Sequence, residues 1–209
     1  MLIGVTGGSG AGKTEFIKQL RTRFKESELA LISADNYYLP RETLAKDERG
    51  VINFDLPETI DHIAFVEDLK LLKQNKTVRR KEYTFNNEKA TAKEIVLSPA
   101  TVYIVEGLFI LHEEKVRELL DLIILIDADD VKKISRRIIR DQTERNYPLE
   151  DVLYRYNNHV APAYQKFILP YLENIDIIIN NNHHFGKALE VISAYIKNLV
   201  DIEAKLINL

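Results

Sequence analysis

Residues 7–14 read GGSGAGKT, a glycine-rich segment that ends in Lys13 and Thr14. It matches the pattern G-x-x-x-x-G-K-[ST], in which glycines let the backbone form a nest of N–H donors around phosphate oxygens. The apolar run Leu2–Thr6 before it predicts a strand, and the stretch Lys13–Lys25 predicts a helix whose N-terminus attracts anions. This strand–loop–helix order is the context in which the pattern binds a nucleoside triphosphate, so we disfavour a glycine-rich turn without a ligand.

The residues of this phosphate-binding loop (the P-loop) have expected parts in binding. We predict that Lys13 bridges the β- and γ-phosphates and that the Thr14 hydroxyl is a ligand of Mg²⁺. The predicted nucleotide-binding residues are Gly7, Gly8, Ser9, Gly10, Ala11, Gly12, Lys13 and Thr14. The loop indicates a nucleoside triphosphate but does not identify the reaction.

The rest of the chain alternates short β-branched apolar runs with amphipathic stretches, which is typical of an α/β protein with a parallel sheet flanked by helices. The predicted strands are Leu2–Thr6, Leu29–Ser33, Val102–Glu106, Leu122–Asp127 and Ile175–Ile179. The predicted helices are Lys13–Lys25, Thr59–Gln74, Glu113–Leu120, Val131–Glu144, Leu149–Leu169 and Lys187–Leu206. A long polar segment, 34–57, and an alternating stretch that predicts an inserted β-hairpin, 78–97, interrupt this order. We expect one domain, 1–209, around a central five-stranded sheet.

The composition excludes several classes of protein. The chain has no cysteine, which excludes disulfide scaffolds, thiol catalysis and zinc fingers. Its net charge of −3, from 29 basic and 32 acidic residues, provides no global field for nucleic acid. No apolar run approaches the ~20 residues that a membrane span needs, and the N-terminus does not resemble a signal peptide. We expect a cytoplasmic protein that binds neither nucleic acid nor membranes.

Two classes of reaction fit a P-loop: a kinase transfers the phosphoryl group to a small molecule, and an ATPase or GTPase switch transfers it to water. A guanine-nucleotide switch needs D-x-x-G followed by N-K-x-D. The segment DERG, 47–50, matches the first pattern, but no predicted strand precedes it and no N-K-x-D follows. The sequence therefore favours a kinase, which needs a base near the γ-phosphate, an acceptor pocket and mobile cations.

Acidic residues follow three of the predicted strands. Asp35 lies just past the second strand, where side chains at the carboxyl end of a parallel sheet face the ligand crevice. In that position it can accept the proton of an acceptor hydroxyl or orient this group. Glu106 and Asp127 end two other strands, and either carboxylate is a candidate for holding Mg²⁺.

The segment KKISRRIIRDQTER, 132–145, is rich in basic residues. Lys133, Arg137 and Arg140 share one helix face, and Arg136 and Arg145 flank them. Such a run is usually a solvated helix face. Beside a P-loop, however, it favours a helical lid over about 130–148 whose guanidinium groups clamp phosphates when the lid closes.

Taken together, the motifs of the chain resemble the uridine kinase family, which comprises uridine–cytidine kinases and is related to phosphoribulokinase. Besides the P-loop, the resemblance rests on SADNYY, FDLPETID, EYTF, VEGLFIL, SRRIIRDQTER and HVAPAYQKFILPYLENIDIII, which span nearly the whole chain. It implies a P-loop kinase fold and phosphorylation of the 5′-hydroxyl of uridine or cytidine in pyrimidine salvage, with ATP or GTP as donor and Mg²⁺ as cofactor. It also implies a homo-oligomer, typically a tetramer.

The resemblance assigns roles to individual residues. By motif, Asp35 corresponds to the catalytic base, Tyr38 lies in the loop that contacts the nucleoside, and Asp55 corresponds to the acid that binds ribose hydroxyls. Glu106 corresponds to the metal-associated acid, which weakens the case for Asp127. The lid arginines correspond to Arg137, Arg140 and Arg145, and the hairpin aromatics around the base to Tyr83 and Phe85.

Departures from the family pattern bear on specificity. Glu88 stands where relatives commonly have a histidine at the pyrimidine edge, and because an ionised carboxylate only accepts hydrogen bonds, we predict a bias against cytidine. Asn146 and Tyr147 replace a glycine and an arginine of the lid, and Arg155 replaces a glutamine beside the nucleoside pocket. The histidines expected to be structural or surface residues are His62, His159, His183 and His184. Two alternatives stay open: another acceptor, such as ribulose phosphate or another riboside, and a nucleotide-binding regulator with slow hydrolysis.

Overall fold

The computed structural model describes residues 1–84 and 92–207, and a parallel sheet of five strands lies at its centre. The strands are β1 (Leu2–Thr6), β2 (Leu29–Ser33), β3 (Val78–Lys81), β4 (Glu94–Leu97), β5 (Val102–Glu106), β6 (Leu122–Asp127) and β7 (Ile177–Asn180). The central sheet has the order β2-β5-β1-β6-β7, and its neighbouring strands are all parallel. The predicted α/β class with a five-stranded parallel sheet is confirmed.

The predicted strand bounds are reproduced except in the last strand, which begins at Ile177 rather than Ile175. The amide of Ile175 donates to the carbonyl of Leu172 at 3.2 Å, so this residue closes the preceding 3₁₀ turn instead of joining the sheet. β3 and β4 pair antiparallel within the segment where the sequence predicts a hairpin.

The helices are α1 (Lys13–Arg21), α2 (His62–Lys73), α3 (Glu114–Arg117), α4 (Asp130–Arg145), α5 (Leu149–Arg155), α6 (Ala161–Phe167) and α7 (Gly186–Ile207). The prediction of one continuous helix over 149–169 is wrong, because a π-helical turn, Tyr156–Val160, separates α5 from α6 and a 3₁₀ helix follows at Leu169–Asn174. Pro162 and Pro170 lack the amide that an interior helix position needs. Within the described ranges, the helices are all too short or too polar to span a bilayer.

Both faces of the central sheet are covered. On one face Ile3 and Ile104 pack against α1 and α7, and on the other Leu2, Tyr103 and Val105 pack against α2. Burial on both faces explains why the strands are continuous apolar runs rather than alternating ones. Because β1, β2 and β5 are parallel, the P-loop, Asp35 and Glu106 that follow or end these strands all lie at the carboxyl edge of the sheet.

The long segment after β2 is closed on itself at its base. The Asp61 amide donates to the Tyr37 carbonyl at 2.7 Å, and the Leu39 amide donates to the Thr59 carbonyl at 2.8 Å. Asp61 also caps α2 by accepting a hydrogen bond from an amide of its first turn. Residues 40–58 therefore form a long loop whose two ends are held together by these hydrogen bonds at the carboxyl edge of the sheet.

Candidate active site

The carboxyl edge of the sheet opens into a cavity of about 820 Å³, which is within the roughly 300–1,000 Å³ typical of small-molecule sites. The predicted site residues that line it from the sheet edge are Lys13, Thr14, Asp35, Tyr38, Asp55 and Glu106. The predicted arginines that line it are Arg137, Arg140, Arg145 and Arg155. The structure thus gathers residues from five separate segments of the chain around one space.

The P-loop has a shape that only glycine permits at its end. Gly12 has φ of 102°, and a Cβ there would collide with the side-chain amide of Asn181. Asn181 donates to the Ala11 carbonyl at 2.8 Å and so braces the loop. The Lys13 ammonium donates to the Gly7 carbonyl at 2.8 Å, which holds it across the loop. The Ala11 amide donates to the Gly8 carbonyl at 3.1 Å, which closes a turn within the loop.

Ser33 connects the two acids at the ends of β2 and β5. These strands are neighbours, and Ser33 lies directly opposite Glu106 in their register. The Ser33 hydroxyl donates to Glu106 Oε2 at 2.7 Å and accepts a hydrogen bond from the Asp35 amide at 3.3 Å. One hydroxyl therefore orients the Glu106 carboxylate and caps the 3₁₀ turn that carries Asp35.

The Asp35 carboxyl has the properties of a base that works near neutral pH. Its side chain is open to the cavity, but the cavity walls surround it and partly replace bulk water. Burial by these walls raises the pKa of Asp35 to about 7, the Glu106 carboxylate adds to the rise, and Lys13 opposes it. A general base is most effective when its pKa lies near the working pH.

Lys13 faces the same carboxylates. Burial lowers the pKa of the Lys13 ammonium, and Glu106 and Asp35 oppose that change. The Thr14 hydroxyl and the Glu106 carboxylate are oxygen donors on this wall of the cavity. They fit Mg²⁺, which is commonly bound through one or two protein oxygens together with substrate phosphates and water. Within residues 1–84 and 92–207, no three acidic or histidine side chains form a cluster that could hold a metal ion.

Asp141 organises the arginines of α4. Its side chain is 1% exposed, accepts a hydrogen bond from Arg140 Nε at 2.9 Å, and pairs with Arg137 Nε at 3.2 Å and Arg145 Nη1 at 3.4 Å. Arg137 also donates to the Ser9 hydroxyl at 2.7 Å, so that α4 touches the P-loop. Three guanidinium groups are therefore held by one buried carboxylate at the edge of the cavity.

Asp55, which the family resemblance assigns to the ribose hydroxyls, also lines the cavity. Burial raises the pKa of Asp55, whereas electrostatic interactions with Arg137, His159 and Arg140 lower it. Within residues 1–84 and 92–207 its carboxylate has no hydrogen-bond partner. An ionised carboxylate with free lone pairs can accept hydrogen bonds from two neighbouring hydroxyls.

Aromatic rings form the wall beside Asp55. Tyr38 donates to the Phe54 carbonyl at 3.3 Å, and the two rings meet edge to face with centroids 5.4 Å apart. The ring of Tyr83 lies 5.3 Å from that of Tyr38 but does not line the cavity. Tyr83 therefore contacts Tyr38, which lines the cavity, but is not itself among the lining residues.

The end of α4 shows how the departures from the family pattern are accommodated. Asn146 adopts φ of 54°, the left-handed conformation in which asparagine substitutes for glycine after a helix. The guanidinium of Arg155 lies 5.1 Å from the centroid of the Tyr147 ring, and both residues line the cavity. Tyr147, at the position where the family resemblance implies an arginine, therefore holds Arg155 by a cation–π contact.

Other predicted residues are placed elsewhere. Phe85 and Glu88 lie outside the described residues. Asp127 accepts a hydrogen bond from Lys133 Nζ at 3.2 Å, and both line a separate cavity of about 470 Å³. This placement favours Glu106 over Asp127 as the metal acid, and it separates Lys133 from the arginines with which it was expected to act.

Residues that sequence reasoning missed complete the site. His159, expected to be structural or at the surface, is 4% exposed and lines the cavity. Phe54 and Ser33 adjoin predicted site residues in sequence, and Asp141 lies four positions after Arg137, so local signals existed for these three. His159 begins the segment HVAPAYQKFILPYLENIDIII, but nothing in that segment indicates its hydrogen-bond partner, which is 112 positions away in the chain.

The chain is similar to known proteins over nearly its whole length. The family described as Phosphoribulokinase / Uridine kinase matches residues 2–184. A uridine kinase of Brevibacillus brevis is 35% identical over 200 residues, 96% of this chain and 94% of that protein. A uridine kinase of Borrelia duttonii is 38% identical over 204 residues, 98% of either chain. The solved structure of phosphoribulokinase from Rhodobacter spheroides shares the fold, with a TM-score of 0.59 and 18% identity over 86% of this chain and 69% of that one.

Proposed function

Because the chain belongs to the phosphoribulokinase/uridine kinase family and is therefore a P-loop phosphotransferase with a hydroxyl acceptor, we propose that its acceptor is the 5′-hydroxyl of uridine. The donor is ATP or GTP, and the product is the nucleoside monophosphate of pyrimidine salvage. One observation carries the proposal: Lys13 of the P-loop, the carboxylates of Asp35 and Asp55, and the lid arginines line a single cavity.

Asp35 acts on the acceptor hydroxyl. Its carboxylate accepts the proton of the 5′-hydroxyl as the oxygen attacks the γ-phosphorus, or aligns that hydroxyl for attack. A pKa of about 7, raised mainly by burial, supports this role because the group is both partly ionised and basic at neutral pH. Ser33 supports it by capping the turn on which Asp35 lies.

Positive charge is supplied from two sides of the transferring group. Lys13 lies in the P-loop, and Arg137, Arg140 and Arg145 extend from α4 and its end. Thr14 and Glu106 are the residues that would hold Mg²⁺, which when bound neutralises charge on the β- and γ-phosphates. Closure of α4 over the nucleotide excludes water and so favours transfer to the nucleoside over hydrolysis.

Asp55 selects a ribose. A carboxylate that accepts hydrogen bonds from the 2′- and 3′-hydroxyls distinguishes a ribonucleoside from an acceptor without that diol. The aromatic wall of Tyr38 and Phe54 beside it is apolar surface on which a nucleoside can pack. These features support a riboside over a smaller alcohol.

ADP release with a panel of acceptors tests the proposal. The purified protein is supplied with MgATP and, separately, uridine, cytidine, ribulose 5-phosphate or no acceptor. Release stimulated most by uridine supports the proposal. Stimulation by ribulose 5-phosphate alone would assign the other acceptor class of the family, and equal release without any acceptor would identify a regulator with slow hydrolysis. Parallel assays with GTP and with EDTA define the donor and the need for Mg²⁺.

The family resemblance alone supports two further expectations, a homo-oligomer, typically tetrameric, and a cytoplasmic location. Light scattering coupled to gel filtration measures the first directly, and fractionation of the native cells measures the second.

A further inference from the structure

Asp47 joins two distant parts of the chain. Its Oδ2 atom accepts a hydrogen bond from the Tyr154 hydroxyl at 2.8 Å and pairs with His159 Nε2 at 2.8 Å. Tyr154 lies on α5 and His159 in the π-helical turn that follows it. The guanidinium of Arg49 lies 4.2 Å from the centroid of the Tyr154 ring and adds a second contact between the same two parts.

The other oxygen of Asp47 shapes its own segment. Oδ1 accepts hydrogen bonds from the amides of Arg49 and Val51, each at 2.9 Å. Lys46 and Ile52 form an isolated antiparallel bridge across this turn. One carboxylate therefore closes the turn 46–52 and fastens it to the α5 side. Desolvation opposes ionisation, but hydrogen bonds from Val51, Tyr154 and His159 lower the pKa of Asp47 to about 2, so it is charged at every pH of a normal assay.

Both sides of this connection face the cavity. Ile52, at the end of the turn that Asp47 closes, and Asp55, three residues further along the chain, line it from one side, and Arg155 and His159 line it from the α5 side. His159 is 4% exposed, which indicates that its place in the packing is fixed. Where two walls of a site come from segments so distant in sequence, their separation depends on the contacts between them.

We propose that Asp47, Tyr154 and His159 form a latch, here called the Asp47 latch. Its hydrogen bonds fix the position of the cavity wall that carries Asp55, so these three are positioning residues for acceptor binding. The inference rests on the proposed function for the identity of the acceptor but not for the existence of the latch. It predicts that loss of the latch weakens acceptor binding more than nucleotide binding, because the hydrogen bonds of the latch join the turn 46–52 to α5 and the π-helical turn, and not to the P-loop.

Steady-state kinetics of Asp47→Asn test the latch. Loss of hydrogen bonds to a charged group commonly changes binding by about tenfold or more. We expect the KM for uridine to rise by about that factor while the KM for ATP stays within about twofold, because only one wall moves. The matched control is Glu48→Gln at the exposed neighbouring position, which makes no hydrogen bond or ion pair within the described chain. An unchanged KM for uridine in Asp47→Asn contradicts the latch.

Two substitutions of His159 separate the hydrogen bond from bulk packing. Gln places an amide nitrogen near the position of imidazole Nε2 and can donate to Asp47, whereas Leu fills similar space without a donor. We expect His159→Gln to recover most of the uridine affinity that His159→Leu loses. Equal KM values for the two variants contradict a role for the hydrogen bond.

Tryptic cleavage after Arg49 tests the latch without any acceptor. The His159 variants leave the sequence around the cleavage site intact, so a difference in rate reports release of the turn. We expect faster cleavage after Arg49 in His159→Leu than in His159→Gln or the unmodified protein, and equal rates overturn the latch. If the unmodified protein phosphorylates no riboside, the proposed function fails, and this comparison alone decides the latch.

Discussion

The hydroxyl of Ser33 donates a hydrogen bond to Glu106 Oε2 at 2.7 Å, and this contact joins the proposed base to the proposed metal acid. Its origin is the register of two parallel strands, since Ser33 and Glu106 are opposite each other where β2 and β5 end. The same hydroxyl accepts a hydrogen bond from the backbone amide of Asp35. The geometry of the proposed reaction centre therefore depends on a side chain that is not part of the cavity lining.

Ser33→Ala is expected to weaken activation by Mg²⁺. Removing a group that orients a metal ligand typically costs about 10- to 100-fold in metal affinity or activity. The measurement is the Mg²⁺ concentration that gives half-maximal kcat. Ser33→Thr retains the hydroxyl and tolerates the strand conformation, so it should stay near the unmodified value. A Ser33→Ala variant with an unaltered Mg²⁺ dependence would refute the linking role.

Asp35→Asn is expected to change how stability depends on pH in protein free of metal and nucleotide. Burial raises the pKa of Asp35 from 3.8 to about 7, so the folded state binds more protons than the unfolded state between these values. The unfolding free energy of the unmodified protein therefore falls as pH rises through this window. The variant has no carboxyl at this position, so its unfolding free energy does not fall in this way. The Tm of the variant minus the Tm of the unmodified protein should therefore be larger at pH ~8 than at pH ~5. A Tm difference that is the same at both pH values would show that Asp35 titrates normally.

Asp141→Ala is expected to destabilise the protein and to reduce kcat. Removing one partner of a buried ion pair commonly costs ~3–5 kcal/mol, and here three guanidinium groups would lose their shared carboxylate. Urea denaturation measures the free energy of unfolding, and the ATP-dependent rate reports the lid. The control is Asp151→Ala, an exposed position on α5, whose unfolding free energy should change by less than ~0.5 kcal/mol. Equal stability of the two variants would exclude the organising role of Asp141.

Asp55→Asn is expected to reduce discrimination between uridine and 2′-deoxyuridine. A hydrogen bond to a charged group contributes ~1.5–3 kcal/mol, which corresponds to about 10- to 100-fold in kcat/KM. The ratio of kcat/KM for the two nucleosides measures the effect. Glu58→Gln, at an exposed position three residues along the same segment, should keep the unmodified ratio. If Asp55→Asn also keeps that ratio, Asp55 does not bind the ribose diol.

The parts of the fold and site that the sequence predicts are those encoded locally. The P-loop is a contiguous pattern, and Asp35 and Glu106 immediately follow or end apolar strands, so their shared position follows from the parallel sheet. The lid arginines recur at helical spacing. Each of these inferences needs only neighbouring residues and the rule that parallel strands end at one edge.

The remaining parts depend on contacts between distant segments. Asp47 and His159 are 112 positions apart, and neither lies in a pattern that indicates a partner. The break of the helix predicted over 149–169 illustrates the same limit, because amphipathic spacing continues through the π-helical turn at Tyr156–Val160 while Pro162 interrupts the hydrogen bonding. Tertiary packing, rather than local propensity, determines these features.

Single-turnover transfer from ATP labelled at the γ-phosphate, with uridine in excess, tests directly whether Asp35 acts on the acceptor hydroxyl. The unmodified protein and Asp35→Asn are compared at matched ATP occupancy, determined by calorimetry. We predict that the unmodified protein forms labelled UMP, and that the variant binds ATP with similar affinity yet forms none on the same timescale. Labelled UMP appearing at the unmodified rate in Asp35→Asn, or no labelled UMP from the unmodified protein, would contradict the account.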